Sequence, residues 1–158
     1  MRTKWRRELL GLAVSLALCF GAAWLGSQFT PGEWYGRLVK PPWTPPNWLF
    51  APVWSVLYAM MAVAAWLVWK QQGFKKACVP LVVFALQLVL NATWSWLFFG
   101  LHRPDLAFAD IVLLWAAILA TLVLFSRRNT AAGALIAPYL AWVTFAAALN
   151  FALWRLNQ

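Results

Sequence analysis

The segment Trp34–Trp54, WYGRLVKPPWTPPNWLFAPVW, interrupts a chain that otherwise consists of hydrophobic, helix-forming runs. It holds five of the nine prolines, together with Trp34, Trp43, Trp48 and Trp54. Proline lacks a backbone N–H and disfavours the α region for the residue before it, so this segment cannot be an ordinary membrane-spanning helix. Its fixed φ angles also exclude a flexible linker. A stiff aromatic loop between two helices predicts a lid or a wall over something that binds there.

The composition indicates a membrane protein. Hydrophobic residues make up 64% of the 158 residues and charged residues only 11%, against averages of about 45–50% and about 25% in soluble domains. A soluble fold of this size could not bury so much apolar surface, whereas a bilayer can cover it. The length predicts a single domain, residues 1–158. We therefore expect an all-α integral membrane protein.

Five apolar runs are each long enough to supply the roughly 20 residues that a spanning helix needs. They are Leu9–Phe29, Phe50–Trp69, Cys78–Gly100, Leu106–Phe125 and Ala132–Trp154. The connections after the second, third and fourth runs are short, so successive helices should be antiparallel neighbours. The sequence therefore predicts a five-helix bundle whose one long loop is the first, rich in proline and tryptophan.

Basic residues are unevenly divided between the two sides of this arrangement. The formal net charge is +9, but the basic residues flank apolar runs, which is typical of membrane proteins and not of nucleic-acid binders. One side carries Arg2, Lys4, Arg6, Arg7, Lys70, Lys75, Lys76, Arg127 and Arg128, and the other carries Arg37, Lys40, Arg103 and Arg155. The positive-inside rule then predicts a cytoplasmic N-terminus and an external first loop, in a bacterial cell membrane.

Polar and aromatic residues recur at helical spacing within three of the predicted spans, where polar groups are costly unless they face inward. The faces are Trp54, Tyr58, Met61 and Ala65; Gln87, Asn91, Trp94 and Phe98; and Tyr139, Trp142, Ala146, Leu149 and Asn150. The amides could simply bridge neighbouring helices. Alternatively, the three faces line one apolar pocket with a few orienting polar groups, beneath the aromatic loop.

The sequence contains no recognisable set of residues for metal binding or acid–base catalysis. His102 is the only histidine and has no second His or thiolate at ligand spacing. Asp110, near the start of the fourth run, suits the N-terminal end of a helix dipole. No Ser-His-Asp set, phosphate-binding loop or pair of carboxylates appears. We therefore expect a binding protein that requires no cofactor.

Three motifs resemble the TspO/MBR family of translocator and tryptophan-rich sensory proteins. They are W-Y-x-x-L-x-K-P-x-W-x-P-P-x-W from Trp34, followed by P-V-W; Q-L-x-L-N-x-x-W-S from Gln87, followed by F-F-G; and P-Y-L-A-W-x-x-F-A-x-x-L-N from Pro138. They occur in the family's order and span most of the chain. The resemblance implies a five-helix membrane protein, commonly a homodimer, that binds porphyrins, sterols and synthetic isoquinoline or benzodiazepine ligands.

The resemblance also implies which residues contact the ligand. By motif they are Trp34, Tyr35, Trp43, Trp48, Trp54, Tyr58, Asn91, Trp94, Trp142, Ala146 and Leu149. Some bacterial members of the family degrade porphyrin in light through two tryptophans, whose positions match Trp54 and Trp142. These two are therefore the candidates for a catalytic role.

Two departures from the family pattern favour a tetrapyrrole ligand over a sterol. Sterol-binding members carry tyrosine between leucine and arginine near the C-terminus, whereas Asn150 and Phe151 separate Leu149 from Arg155 here. In addition, Leu106 stands where animal members have a tryptophan. Porphyrin is thus the expected ligand, and a bacterial source is expected.

Overall fold

The computed structural model describes residues 2–158, and all of their side chains except those of residues 2–4, 72, 74 and 75. The helices are α1 (Arg2–Ser27), α2 (Glu33–Arg37), α3 (Phe50–Ser95), α4 (Pro104–Ser126) and α5 (Thr130–Leu156), with a 3₁₀ turn at Asn47–Leu49 and a π-helical turn at Trp96–Gly100. Arg2, Lys4 and Lys75, which were counted in the charge asymmetry, have side chains outside the described part.

Five helices are long and apolar enough to cross a membrane, as the sequence predicted. The spans are Trp5–Ser27, Asn47–Gln71, Lys76–Gly100, Pro104–Ser126 and Thr130–Leu156. Most ends differ by two to four residues from those predicted, because hydropathy locates the apolar run and not the exact residue at which the helix starts or stops. The fold is an all-α integral membrane bundle.

The second and third spans are the two arms of α3, which reverses direction at Gly73. Gly73 has φ 70° and ψ 167°, a conformation that L side chains rarely adopt. Tyr58 contacts Asn91 and Met61 contacts Gln87, so residues at matching distances from Gly73 meet. The arms are therefore antiparallel.

The first, fourth and fifth spans all pack against α3, and the first span lies at the edge of the bundle. In the most apolar stretch of α1 only 6% of the residues are buried inside the protein, whereas 33–39% are buried in the corresponding stretches of the other spans. Pro104 starts α4, and the Asn129 side chain caps α5 by accepting a hydrogen bond from Ala132 N–H at 3.0 Å. Most of the core therefore lies among the last four spans.

Two polar side chains fix the first loop, Lys40 within the loop itself and Asn157 between the loop and the end of α5. Lys40 Nζ donates to the backbone carbonyl of Tyr35 at 2.6 Å and lies over the Tyr35 ring. The Asn157 side chain accepts from Val39 N–H at 2.9 Å and donates to the Val39 carbonyl at 3.0 Å and to Leu153 O at 2.8 Å. The Asn157 bonds join the middle of the loop to the end of α5, over one end of the bundle.

Candidate functional site

A cavity of about 420 Å³ lies between the first loop and the first, second, third and fifth spans. Eight of the eleven predicted ligand-contacting residues line it: Tyr35, Trp54, Tyr58, Asn91, Trp94, Trp142, Ala146 and Leu149. They come from loop and helix segments far apart in sequence. The structure therefore brings the predicted faces of three spans into one space.

A buried chain of hydrogen bonds forms the polar floor of this cavity. Tyr58 Oη donates to Asn91 Oδ1 at 2.8 Å, and Asn91 Nδ2 donates to Tyr139 Oη at 2.8 Å. Tyr139 Oη in turn donates to Gln87 Oε1 at 2.9 Å. Tyr58 and Asn91 face the cavity, whereas Tyr139 and Gln87 are 1% exposed and lie behind it. The sequence left open whether the amides bridge helices or line a pocket. Asn91 does both.

Trp54 and Trp142 supply large aromatic surfaces to the cavity. The Trp54 ring centroid lies 5.7 Å from that of Tyr58 and 6.0 Å from that of Tyr139. Trp142 packs edge-on against Phe50 at 5.9 Å. Its indole Nε1 is one of two buried side-chain polar atoms without a hydrogen-bond partner in the described part of the chain, and the other, on Asp110, is outside the cavity wall. A buried donor without a partner is costly, and this one is shielded from the cavity as well as from solvent.

Trp94 is held in place by a second amide. Its Nε1 donates to Asn150 Oδ1 at 2.9 Å, and Asn150 Nδ2 donates to Pro104 O at 2.8 Å. Beyond Trp94 the π-helical turn widens the backbone, and the consecutive residues Phe98 and Phe99 both reach the cavity. This end of the third span therefore forms a fixed aromatic wall.

Three predicted contact residues, Trp34, Trp43 and Trp48, do not line the cavity. Trp34 stacks on His102 with ring centroids 4.5 Å apart, Trp43 packs against Phe145 at 5.8 Å, and Trp48 is 72% exposed. Successive residues of a 3₁₀ turn point about 120° apart, so the turn that directs Asn47 into the cavity directs Trp48 away from it. A direct ligand contact by these three tryptophans stays a prediction.

The first span contributes wall residues that sequence reasoning missed. Phe20, Ala23 and Gly26 of α1 line the cavity, as do Phe29 and Thr30 just after it. Ser27, at the end of α1, is the one polar side chain that α1 adds to the cavity wall, and a single serine does not make the periodic pattern that revealed the other faces. The one available signal was the pair of small residues, since a Cβ at Gly26 would lie 3.2 Å from Ser95 Oγ.

Among the described residues, those that line the cavity include no Asp, Glu, Lys, Arg or His. The polar lining groups are amides, hydroxyls and indole N–H groups. Burial raises the pKa of Tyr35, which keeps its hydroxyl neutral. A charged group without a partner is expensive to bury, so the enclosed part of any ligand must be uncharged.

Comparison with known proteins assigns the chain to a family. The sequence profile of the TspO/MBR family matches residues 15–155. The tryptophan-rich protein TspO of Chlorobaculum tepidum is 44% identical, with 96% of this chain and 98% of that protein covered. The translocator protein of Ovis aries is 44% identical, with 85% of this chain and 82% of that protein covered. The tryptophan-rich sensory protein of Cereibacter sphaeroides is 41% identical, with 90% of this chain and 88% of that protein covered. With its five spans and its cavity beneath the first loop, this chain belongs to the TspO/MBR family.

Proposed function

We propose that this protein is a membrane receptor, sensor or carrier that binds porphyrins and similar flat hydrophobic molecules in the cavity. The observation that carries the proposal is the wall itself, in which Trp54, Trp94 and Trp142 surround an uncharged space above a polar floor. Aromatic walls with a few fixed polar groups are typical of small-molecule sites. The names of the relatives, translocator protein and sensory protein, support a role in binding and response.

The geometry suggests how such a ligand would be held. The macrocycle would stack on the tryptophan rings of the wall. Asn91 would fix its orientation, because the oxygen and the nitrogen of its side-chain amide are already aligned by Tyr58 and Tyr139. Charged substituents such as the propionates would remain at the loop end, near Thr30 and Asn47. Neutral isoquinoline or benzodiazepine ligands fit the same requirements, and sterols fit them less well because the cavity is lined by flat rings.

The proposal extends to membrane orientation and assembly. We place the N-terminus in the cytoplasm and the first loop outside, on the basis of nine basic residues against four. A reporter that is active only outside the cytoplasm should be active when fused after Gln158 and inactive when inserted near Gln72. The reverse pattern would refute the orientation. A homodimer is proposed from family resemblance.

The proposed function is tested by titrating the purified protein with protoporphyrin in the dark. Tryptophan fluorescence should be quenched in a saturable way, with one porphyrin bound per chain, since the donors lie in the cavity wall. A neutral isoquinoline carboxamide should compete for the same site. Linear, non-saturable quenching that the competitor leaves unchanged would exclude a binding function for the cavity.

One observation favours a second function, the light-dependent degradation of porphyrin. Trp54 and Trp142 both line the cavity, where each could give an electron or a hydrogen atom to an excited porphyrin. Such chemistry needs no acid, base or nucleophile in the wall. Loss of the Soret absorption band only under illumination, and only with protein present, would indicate this activity.

A further inference from the structure

The first loop contains a short structural unit that closes one side of the cavity. This unit, which we call the roof, consists of α2 and residues 38–40. Tyr35 of the roof is buried and lines the cavity. Lys40 Nζ donates to the carbonyls of Tyr35 at 2.6 Å and of Leu38 at 3.4 Å, which ties the end of the roof to its helix. We therefore expect the roof to move as one body.

The roof rests on aromatic rings beside the cavity. Tyr35 packs against Phe98 and Phe99, with ring centroids 6.3 and 5.6 Å apart. Trp34 packs edge-on against Phe98 at 5.7 Å and stacks on His102 at 4.5 Å. Phe98 and Phe99 both line the cavity. A molecule that enters or leaves at the loop end must therefore part the roof from these two rings.

A polar side chain from the other end of the sequence holds the roof in this position. Asn157 directly follows α5, and its amide pairs with both backbone groups of Val39. Asn157 Oδ1 accepts from Val39 N–H at 2.9 Å, and Asn157 Nδ2 donates to the Val39 carbonyl at 3.0 Å. The same Nδ2 donates to Leu153 O at 2.8 Å, which fixes the side chain against its own helix. The roof is thus attached to the end of α5 by two hydrogen bonds.

The two bonds can break and re-form without leaving a buried polar group. Asn157 and Val39 are both exposed, so water can replace either partner when the bonds open. At the start of the roof, nothing lies within 4 Å of the position that a Cβ on Gly32 would take, so the chain has room to turn there. The roof therefore has a releasable attachment at one end and a possible hinge at the other.

From these observations we propose that Asn157 is a latch, a positioning residue that holds the roof closed and sets how fast a ligand enters and leaves the cavity. The proposal rests on the proposed function, since it assigns a route to the same site. When the bonds to Val39 open, α2 rotates away from Phe98 and Phe99. When they close, Tyr35 returns to the cavity wall. The ligand passes beneath the first loop, and not between the helices.

The latch itself is tested without a ligand, by hydrogen exchange of the purified full-length protein. The Val39 amide should be protected in the wild type. Asn157→Ala removes both bonds to the roof and should speed its exchange about five- to tenfold, while the five spans stay protected. The matched control is Gln158→Ala, at the next position, where the side chain accepts from Arg155 at 3.2 Å. This control should exchange like the wild type.

The effect on a ligand is tested by stopped-flow quenching of tryptophan fluorescence with protoporphyrin in the dark. Asn157→Ala should raise the rate constants of association and dissociation together, each about five- to tenfold, because both steps pass through the open roof. The dissociation constant should change less than about twofold, as long as the closed roof remains the main state. A residue that only ended α5 would not raise both rate constants at an unchanged dissociation constant.

The two measurements separate the possible failures. Unchanged hydrogen exchange in Asn157→Ala, or equal effects of Asn157→Ala and Gln158→Ala, would overturn the proposal. Faster exchange of the roof with unchanged rates for porphyrin would mean that the ligand enters between the helices, which overturns it as well. A wild type without saturable porphyrin binding would reject the proposed function and with it the ligand route, whereas the hydrogen-exchange result still decides whether Asn157 holds the roof.

Discussion

Ala146→Trp should abolish high-affinity porphyrin binding while leaving the bundle folded. Ala146 lines the cavity from α5, so a tryptophan there would occupy space that the ligand needs. Binding the ligand beside the introduced tryptophan ring should cost about 1–3 kcal/mol, as overpacking does in protein cores. That range corresponds to roughly a 5- to 150-fold loss of affinity. The ring enters an existing cavity, so the thermal unfolding temperature should fall little.

The matched control for this variant is Ala148→Trp. Ala148 is exposed and lies two residues further along α5, about 200° around the helix. Its substitution adds the same ring on the lipid-facing side and should leave porphyrin affinity unchanged. Equal affinities of the two variants would mean that the ligand binds elsewhere.

Trp142→Phe and Trp54→Phe should separate a receptor from an enzyme. If the cavity only binds, each substitution should lose about 0.5–1.5 kcal/mol of stacking, since phenylalanine keeps an aromatic face. Bleaching in light would then be absent or would fall in parallel with binding. If an indole supplies an electron, affinity should be nearly intact while bleaching stops, because a benzene ring is far harder to oxidise.

The control for these variants is Trp115→Phe. Trp115 donates to Thr144 Oγ1 at 2.8 Å and lies outside the cavity wall, so its loss should change neither affinity nor bleaching. Affinity and bleaching rate must be measured on the same purified samples. Preserved affinity with lost bleaching at Trp142 would reject the pure receptor, and a wild type that never bleaches would reject the enzyme.

Much of the site could be predicted because polar groups are costly in a membrane. That cost makes Gln87, Asn91 and Asn150 informative, since each has to find a partner, and each does so with a residue on the same predicted faces. The spans could likewise be predicted from the length of apolar runs. In both cases the cost of exposing a polar group to lipid restricts which residues can occur, and the restriction is visible as a pattern in the sequence.

The remaining parts of the site are not accompanied by a recognisable pattern in the sequence. The part of α1 that carries Phe20 and Ala23 contributes only one polar residue to the cavity wall, Ser27 at its end, and lipid and cavity demand the same kind of side chain. The direction of the loop tryptophans depends on single backbone angles, as the 3₁₀ turn at Trp48 illustrates. Similarly, the π-helical turn that brings Phe98 and Phe99 to one wall breaks the helical spacing on which the prediction relied.

The proposed function requires that a flat hydrophobic ligand bind inside the bundle, beneath the first loop. The most direct measurement is an experimental structure of the full-length protein saturated with protoporphyrin in the dark. In that structure the macrocycle should lie between Trp54 and Trp142, with Asn91 at its inner edge and its carboxylates toward Thr30 and Asn47. A porphyrin bound only on the lipid-facing surface, with the cavity empty, would contradict it.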